Sequence, residues 1–163
     1  MDLLIANYYT LLISYGMESA MGVGKESALA GAQPSTQAFL LCDRVITEKG
    51  THKKTLVGVF TSIWAHGFPL HHTNLALYYR GVLNAGEYDF RINFARQGSD
   101  EVLSHVEGIL RVKNGSIPTE LGVNLPFLDI PEPGEYEFRM WIEEAYVQRV
   151  GLGAGLIKDM KGE

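Results

Sequence analysis

The side chains in this sequence best suited to chemistry are histidines crowded into one short stretch. His66, His71 and His72 lie between Trp64 and Thr73, while His52 and His105 stand apart. Three imidazoles suffice to begin a zinc site if one loop folds them inward. The stretch carries no carboxylate or thiolate to join them, and adjacent side chains such as His71 and His72 diverge on an extended chain. The sequence therefore predicts a solvated loop with one histidine packed on Trp64. A metal-dependent site at His66–His72 is the alternative.

The other chemical leads are weaker. Asp100 with Glu101, and Asp129 with Glu132, are pairs, whereas a calcium loop needs several acidic side chains converging on one ion. Glu143 and Glu144 are expected at the tip of the last hairpin, where two charges are well hydrated. Met21-Gly22-Val23-Gly24-Lys25-Glu26-Ser27 looks like part of a phosphate-binding loop. However, Ser19 stands where that loop needs a glycine, and Glu26 stands where it needs Ser or Thr for magnesium. Gly151-Leu152-Gly153-Ala154-Gly155 has the glycines of a dinucleotide turn but neither the βαβ setting nor the acidic residue further on, and reads as a flexible exit from the last strand. No Gly-x-Ser-x-Gly elbow is present to seat a nucleophilic serine. The single cysteine, Cys42, lies between Leu41 and Asp43 and reads as a small packed strand residue rather than a nucleophile. The sequence thus assigns no catalytic, cofactor-binding or metal-ligating residue.

Composition narrows the partners. A chain of 163 residues with 46% hydrophobic and 20% charged side chains is long enough for one domain with a proper core. The net charge of −5 argues against a nucleic-acid footprint, and the densest basic stretch is only His52-Lys53-Lys54. One cysteine allows no internal disulfide.

The elements that must position these groups read as strands. Tyr88, Phe90, Ile92 and Phe94 alternate with Asp89, Arg91 and Asn93. Tyr136, Phe138, Met140 and Ile142 alternate with Glu137, Arg139 and Glu143, with Trp141 on the outer face. Leu121, Val123, Leu125 and Phe127 repeat the pattern. Period-two alternation is the pleat of a half-buried strand, and a slip of one residue would bury the charges. Further strands are expected at Ala38–Ile46, Thr55–Ile63, Leu75–Leu83 and Tyr146–Val150. Another is expected at Val102–Val112, with Val102, Val106, Leu110 and Val112 on one side. Turn chemistry separates them, at Lys49-Gly50, Asn84-Ala85-Gly86, Gln97–Asp100, Asn114-Gly115 and Pro131–Gly134. The result is an all-β chain, an antiparallel β-sandwich of about 7–8 strands over residues 37–150, with an up-and-down barrel as the nearest competitor.

The ends read differently. Residues 1–36 are a non-core extension, floppy or loosely helical, in which the apolar run Leu3–Tyr15 is too short to span a bilayer and follows an acidic Asp2. It reads equally as a functional tail or as the product of a start placed ahead of Met17 or Met21; a membrane-surface helix would lack its usual basic face. Residues 151–163 read as a flexible tail.

The stretches Phe39–Ile46, Leu56–Phe60, Phe68-Pro69, Leu75–Tyr78, Glu87–Arg91 and Pro133–Arg139 together resemble a bacterial family of small β-sandwich proteins known only as a domain of unknown function. The resemblance covers roughly Ala38 to Val150 and implies a cytoplasmic sandwich with no known activity, ligand or catalytic residue, so no site is carried over. Residues 1–36 fall outside the pattern, and the tail from Gly151 stands where a closing strand would finish.

The function expected is a non-enzymatic binding or assembly module that uses a strand edge or end loops to hold a protein partner or a second copy of itself. It is expected to bind no nucleic acid, to insert in no membrane and to need no cofactor. A metal site at His66–His72 is one alternative, and a calcium- or lipid-binding domain another.

Overall fold

The computed structural model describes residues 34–158. These residues are mostly strand, and the elements run β1 (Ser35–Thr47), β2 (Lys54–Val59), β3 (Ser62–Ala65), β4 (Leu70–His72), β5 (Leu75–Val82), β6 (Gly86–Arg96), β7 (Val102–Val112), β8 (Thr119–Leu125), β9 (Leu128–Ile130), β10 (Gly134–Ile142) and β11 (Ala145–Leu156). They form a four-stranded sheet in the order β2-β1-β5-β8, a five-stranded sheet in the order β3-β11-β10-β6-β7, and a two-stranded ribbon of β4 and β9. Every pairing is antiparallel except β11 with β3.

Alternation sets the core, as the sequence predicts. Tyr88, Phe90, Ile92 and Phe94 of β6 and Tyr136, Phe138, Met140 and Ile142 of β10 are buried. They join Leu41, Leu75, Leu77, Tyr79, Leu121 and Val123 from the four-stranded sheet in one apolar cluster. A buried aliphatic or aromatic side chain contributes about 1.5–3 kcal/mol relative to exposure, so this shared cluster dominates stability. Cys42 belongs to a smaller cluster with Val45, Ala76 and Tyr78 on the opposite face of the four-stranded sheet.

The structure has more strands than the 7–8 the sequence suggests, because apolar runs that read as single strands are broken. Thr55–Ile63 divides at Phe60 and Thr61, and its halves join different sheets as β2 and β3. Pro126 ends β8, since it has no N–H for a ladder, so Phe127 lies between strands rather than in one. Val102 is 43% exposed instead of facing the core. A register shift between Phe94 and Ala95 brings Val102 opposite Ala95, and one extra residue reverses the side chains beyond it.

The ends also depart from expectation. Ser35 and Thr36, read as extension, pair with Val82 and Gly81; the rest of that reading, residues 1–33, falls outside the described part. The segment from Gly151, read as a flexible tail, continues β11 to Leu156 between β10 on one side and β3 on the other. Gly155 in it serves space rather than bending. A Cβ on Gly155 would come within 2.4 Å of the Trp64 ring, so the bare backbone makes room for that indole. Residues 159–163 lie outside the described part.

Candidate functional site

The histidine stretch does not assemble a metal centre. His66 is exposed in the bend after β3, and the chain reaches β4 through a cis Phe68-Pro69 bond. His71 and His72 are neighbours on β4 and turn to different partners. The Nδ1 of His71 lies 2.6 Å from Asp129 Oδ1, and its ring stacks on Phe127 with centroids 4.9 Å apart. The Nε2 of His72 lies 2.8 Å from the carbonyl of Asn74, and its ring meets Phe60 edge-on. The carboxylate missing from the sequence stretch thus comes from β9, because His71 is opposite Asp129 in the β4–β9 ribbon. That pair is exposed on both sides, at 60% and 64%, which makes it a hydrated surface contact.

The acidic pairs separate as well. Asp129 is taken by His71, whereas Glu132 forms an ion pair of 2.6 Å with Arg96. Among the described residues, no group of three or more His, Cys, Asp and Glu side chains is placed to hold a metal ion. Cys42 is fully buried, and burial pushes its thiol above the ordinary range.

The outer face of the five-stranded sheet is different. There, β6 presents Glu87, Asp89 and Arg91 directly opposite Arg111, Ile109 and Glu107 of β7. Trp141 of β10 is opposite Arg91, whose guanidinium lies over the indole at 5.3 Å from the ring centroid. Tyr146, at the start of β11, meets the same indole edge-on at 5.6 Å. Glu143, at a positive φ of 52°, closes the β10–β11 hairpin. Its N–H donates to Asp89 O at 2.7 Å, and its Oε1 accepts from Asp89 N at 2.8 Å. Glu143 and Glu144 thus form the hairpin tip expected from sequence, Glu144 exposed, and Glu143 also clamps β6.

These side chains enclose an open groove of about 680 Å³. Its lining includes the carboxylates Asp89, Glu107, Glu143 and Glu144 against the two cations Arg91 and Arg111, with Trp141 and Ile109 as apolar walls. Arg111 also donates from Nε to Glu87 at 2.5 Å, so the groove carries negative potential. Further along this face lies Glu137, the one buried charged residue among the described residues, 3% exposed. It accepts from Arg139 Nε at 2.6 Å and Arg149 Nη1 at 3.1 Å, and Arg139 Nη2 reaches the carbonyl of Ser99 at 2.6 Å.

One rim of the groove is β7, which ends the sheet and has one hydrogen-bonded neighbour among the described residues. Edge strands are usually guarded by being short, or by charged side chains, Pro or a bulge. The other edges of the two larger sheets follow that rule. β3 is only 4 residues long, β8 lies between Pro118 and Pro126, and β2 begins at Lys54 after Lys53. β7 has 11 residues, with Glu107, Arg111 and a bulge at Leu103 but neither Lys nor Pro, and it exposes Val102, Leu103 and Ile109 at 39–43%. Sequence reasoning missed this site because Val102–Val112 is ordinary strand sequence; only the sheet order makes it an edge.

No helix among the described residues is long and apolar enough to cross a membrane. No curated protein matches this chain. Residues 37–154 match a family of unknown function (DUF6941), with a boundary that takes in most of the glycine-rich end of β11, and the chain belongs to that family.

Proposed function

We propose that this chain is a non-enzymatic docking module that takes an extended protein segment along β7, with side chains of that segment resting in the groove beside Trp141. We read its fold as a two-layered sandwich, the four- and five-stranded sheets sharing the apolar cluster that draws on both. The observation that carries the function is the long β7 edge, unbroken from Ser104 to Val112, beside an aromatic groove. Unpaired backbone N–H and C=O groups on an edge bind an added strand, and pockets beside it select the side chains. A rigid sheet already holds these groups in place, so binding need not order a loop.

The test is site-specific photo-crosslinking in the host cell. A benzoyl-phenylalanine at position 105, on the outer row of β7, is compared with one at position 44 on the four-stranded sheet. Adducts concentrated at position 105 support the docking edge. Equal or absent adducts at position 105 overturn it.

A further inference from the structure

The β7 edge is self-complementary. An added antiparallel strand places residues of the same face directly opposite one another, so a twofold axis through one residue fixes every pair. The outer row of β7 is His105, Glu107, Ile109 and Arg111, as their partners on β6 show. With the axis through Ile109, Ile109 meets Ile109 of the second copy, and Glu107 meets Arg111 of the second copy on both sides of the axis. On the inner face Val106 then meets Val112, and Gly108 meets Leu110, which extends the row of Val106, Leu110 and Val112 that already faces the core. Moving the axis to Glu107 sets two carboxylates against each other, and moving it to Gly108 sets Glu107 against Ile109 and Arg111 against His105.

We infer that the occupant of the β7 edge is a second copy of this chain, paired antiparallel over Val106–Val112 about an axis at Ile109. This rests on the docking reading above and names its partner. The charges inside one copy are consistent with it. Arg111 uses Nε for Glu87, and a guanidinium has four further N–H donors. Glu107 is opposite Arg91, but that guanidinium lies over Trp141, and the Glu107 carboxylate makes no hydrogen bond or ion pair among the described residues. Arg111 of the second copy therefore brings a cation to the acidic rim of the groove. The pairing joins two five-stranded sheets into one. A pairing of seven residues is a small contact beside the roughly 1,600 Å² of a standard interface, so a reversible, concentration-dependent dimer is expected.

The experiment uses the full chain in sedimentation across a dilution series, with amide hydrogen exchange read on β7. The wild type should pass from dimer to monomer on dilution, and the outward amides of Val106–Val112 should lose protection with it. Glu107→Arg alone faces two cations with two cations, and Arg111→Glu alone does the same with carboxylates, so each should be at least tenfold weaker in self-association. An equimolar mixture of these two variants restores both pairs, and should dimerise about as tightly as the wild type. A dimer that ignores both substitutions, or a mixture that stays monomeric, overturns the inferred pairing. A wild type that is monomeric throughout, with β7 amides exchanging freely, overturns the second copy as occupant but leaves the docking edge standing. β7 amides protected equally at every dilution, in a monomer, show the edge already covered and overturn both readings.

Discussion

Glu137 offers the most direct test of how the outer face is held together. Its carboxylate is 4% exposed at the side chain and is shared by two arginines that differ in burial: Arg139 at 18% and Arg149 at 58%. An ion pair with a mostly exposed partner is worth about 0–1 kcal/mol, whereas a hydrogen bond to a charged group inside the protein contributes about 1.5–3 kcal/mol. Glu137→Gln keeps an acceptor for one guanidinium but removes the charge, so a loss of about 2 kcal/mol is expected. Glu137→Ala leaves Arg139 without a counter-charge, and breaking a buried pair in this way costs about 3–5 kcal/mol. Arg149→Gln should cost less than about 1 kcal/mol. Urea unfolding followed by circular dichroism measures all three, and an unchanged slope would show that the same surface is exposed each time. Urea is the right denaturant because it does not screen charge. If Glu137→Ala unfolds within about 0.5 kcal/mol of the wild type, or Arg149→Gln costs as much as Glu137→Gln, the assignment of Glu137 and Arg139 as the buried pair is wrong.

Three further expectations follow from particular contacts. Gly155→Val should displace Trp64, whose ring occupies the space of a Cβ; in a Trp141→Phe background, a changed tryptophan emission and a loss of about 1 kcal/mol are expected, and an unchanged spectrum refutes the contact. The buried hydroxyls of Tyr79 and Thr36 make no hydrogen bond of adequate geometry among the described residues. Tyr79→Phe should therefore be neutral, or stabilising by up to about 1 kcal/mol, and a clear destabilisation would reveal a partner for the hydroxyl. Burial, followed by its hydrogen bond to Glu120, pushes the Tyr78 phenol up to about 12. A folded-state pKa above the unfolded value of about 10 gives stability that is complete below pH 10 and lost as the pH rises through about 12. Stability measured across that window should fall less steeply in Tyr78→Phe, and equal slopes refute it.

The pleat was legible in the residues themselves. Where one side of a strand is apolar and the other charged, as in Tyr88–Phe94 and Tyr136–Ile142, only one facing keeps Asp89, Arg91, Glu137 and Arg139 off the core, and the buried apolar residues follow, although Glu137 is itself covered on the outer face by its two arginines. Turn positions followed from the same local chemistry, and Cys42 was placed as a packed strand residue because a small apolar side chain suits that setting. Breaks within apolar runs were not legible, since β2 and β3 are consecutive in composition and part only because their ladders belong to different sheets. The glycine-rich strand was misread for a related reason: glycine weakens a strand taken alone, yet between β10 and β3 it is what admits Trp64.

What the sequence by itself determined is therefore the all-β class, the inward and outward faces, and the absence of a familiar catalytic motif, all of which depend on neighbours along the chain. What only the tertiary structure decided is which side chains meet across it: Asp129 with His71, Arg91 over Trp141, and the two arginines on Glu137. It also decided that β7 ends a sheet. An edge is a missing neighbour, and no residue within a strand encodes which strand will lie beside it; that depends on the pairing of the whole sheet.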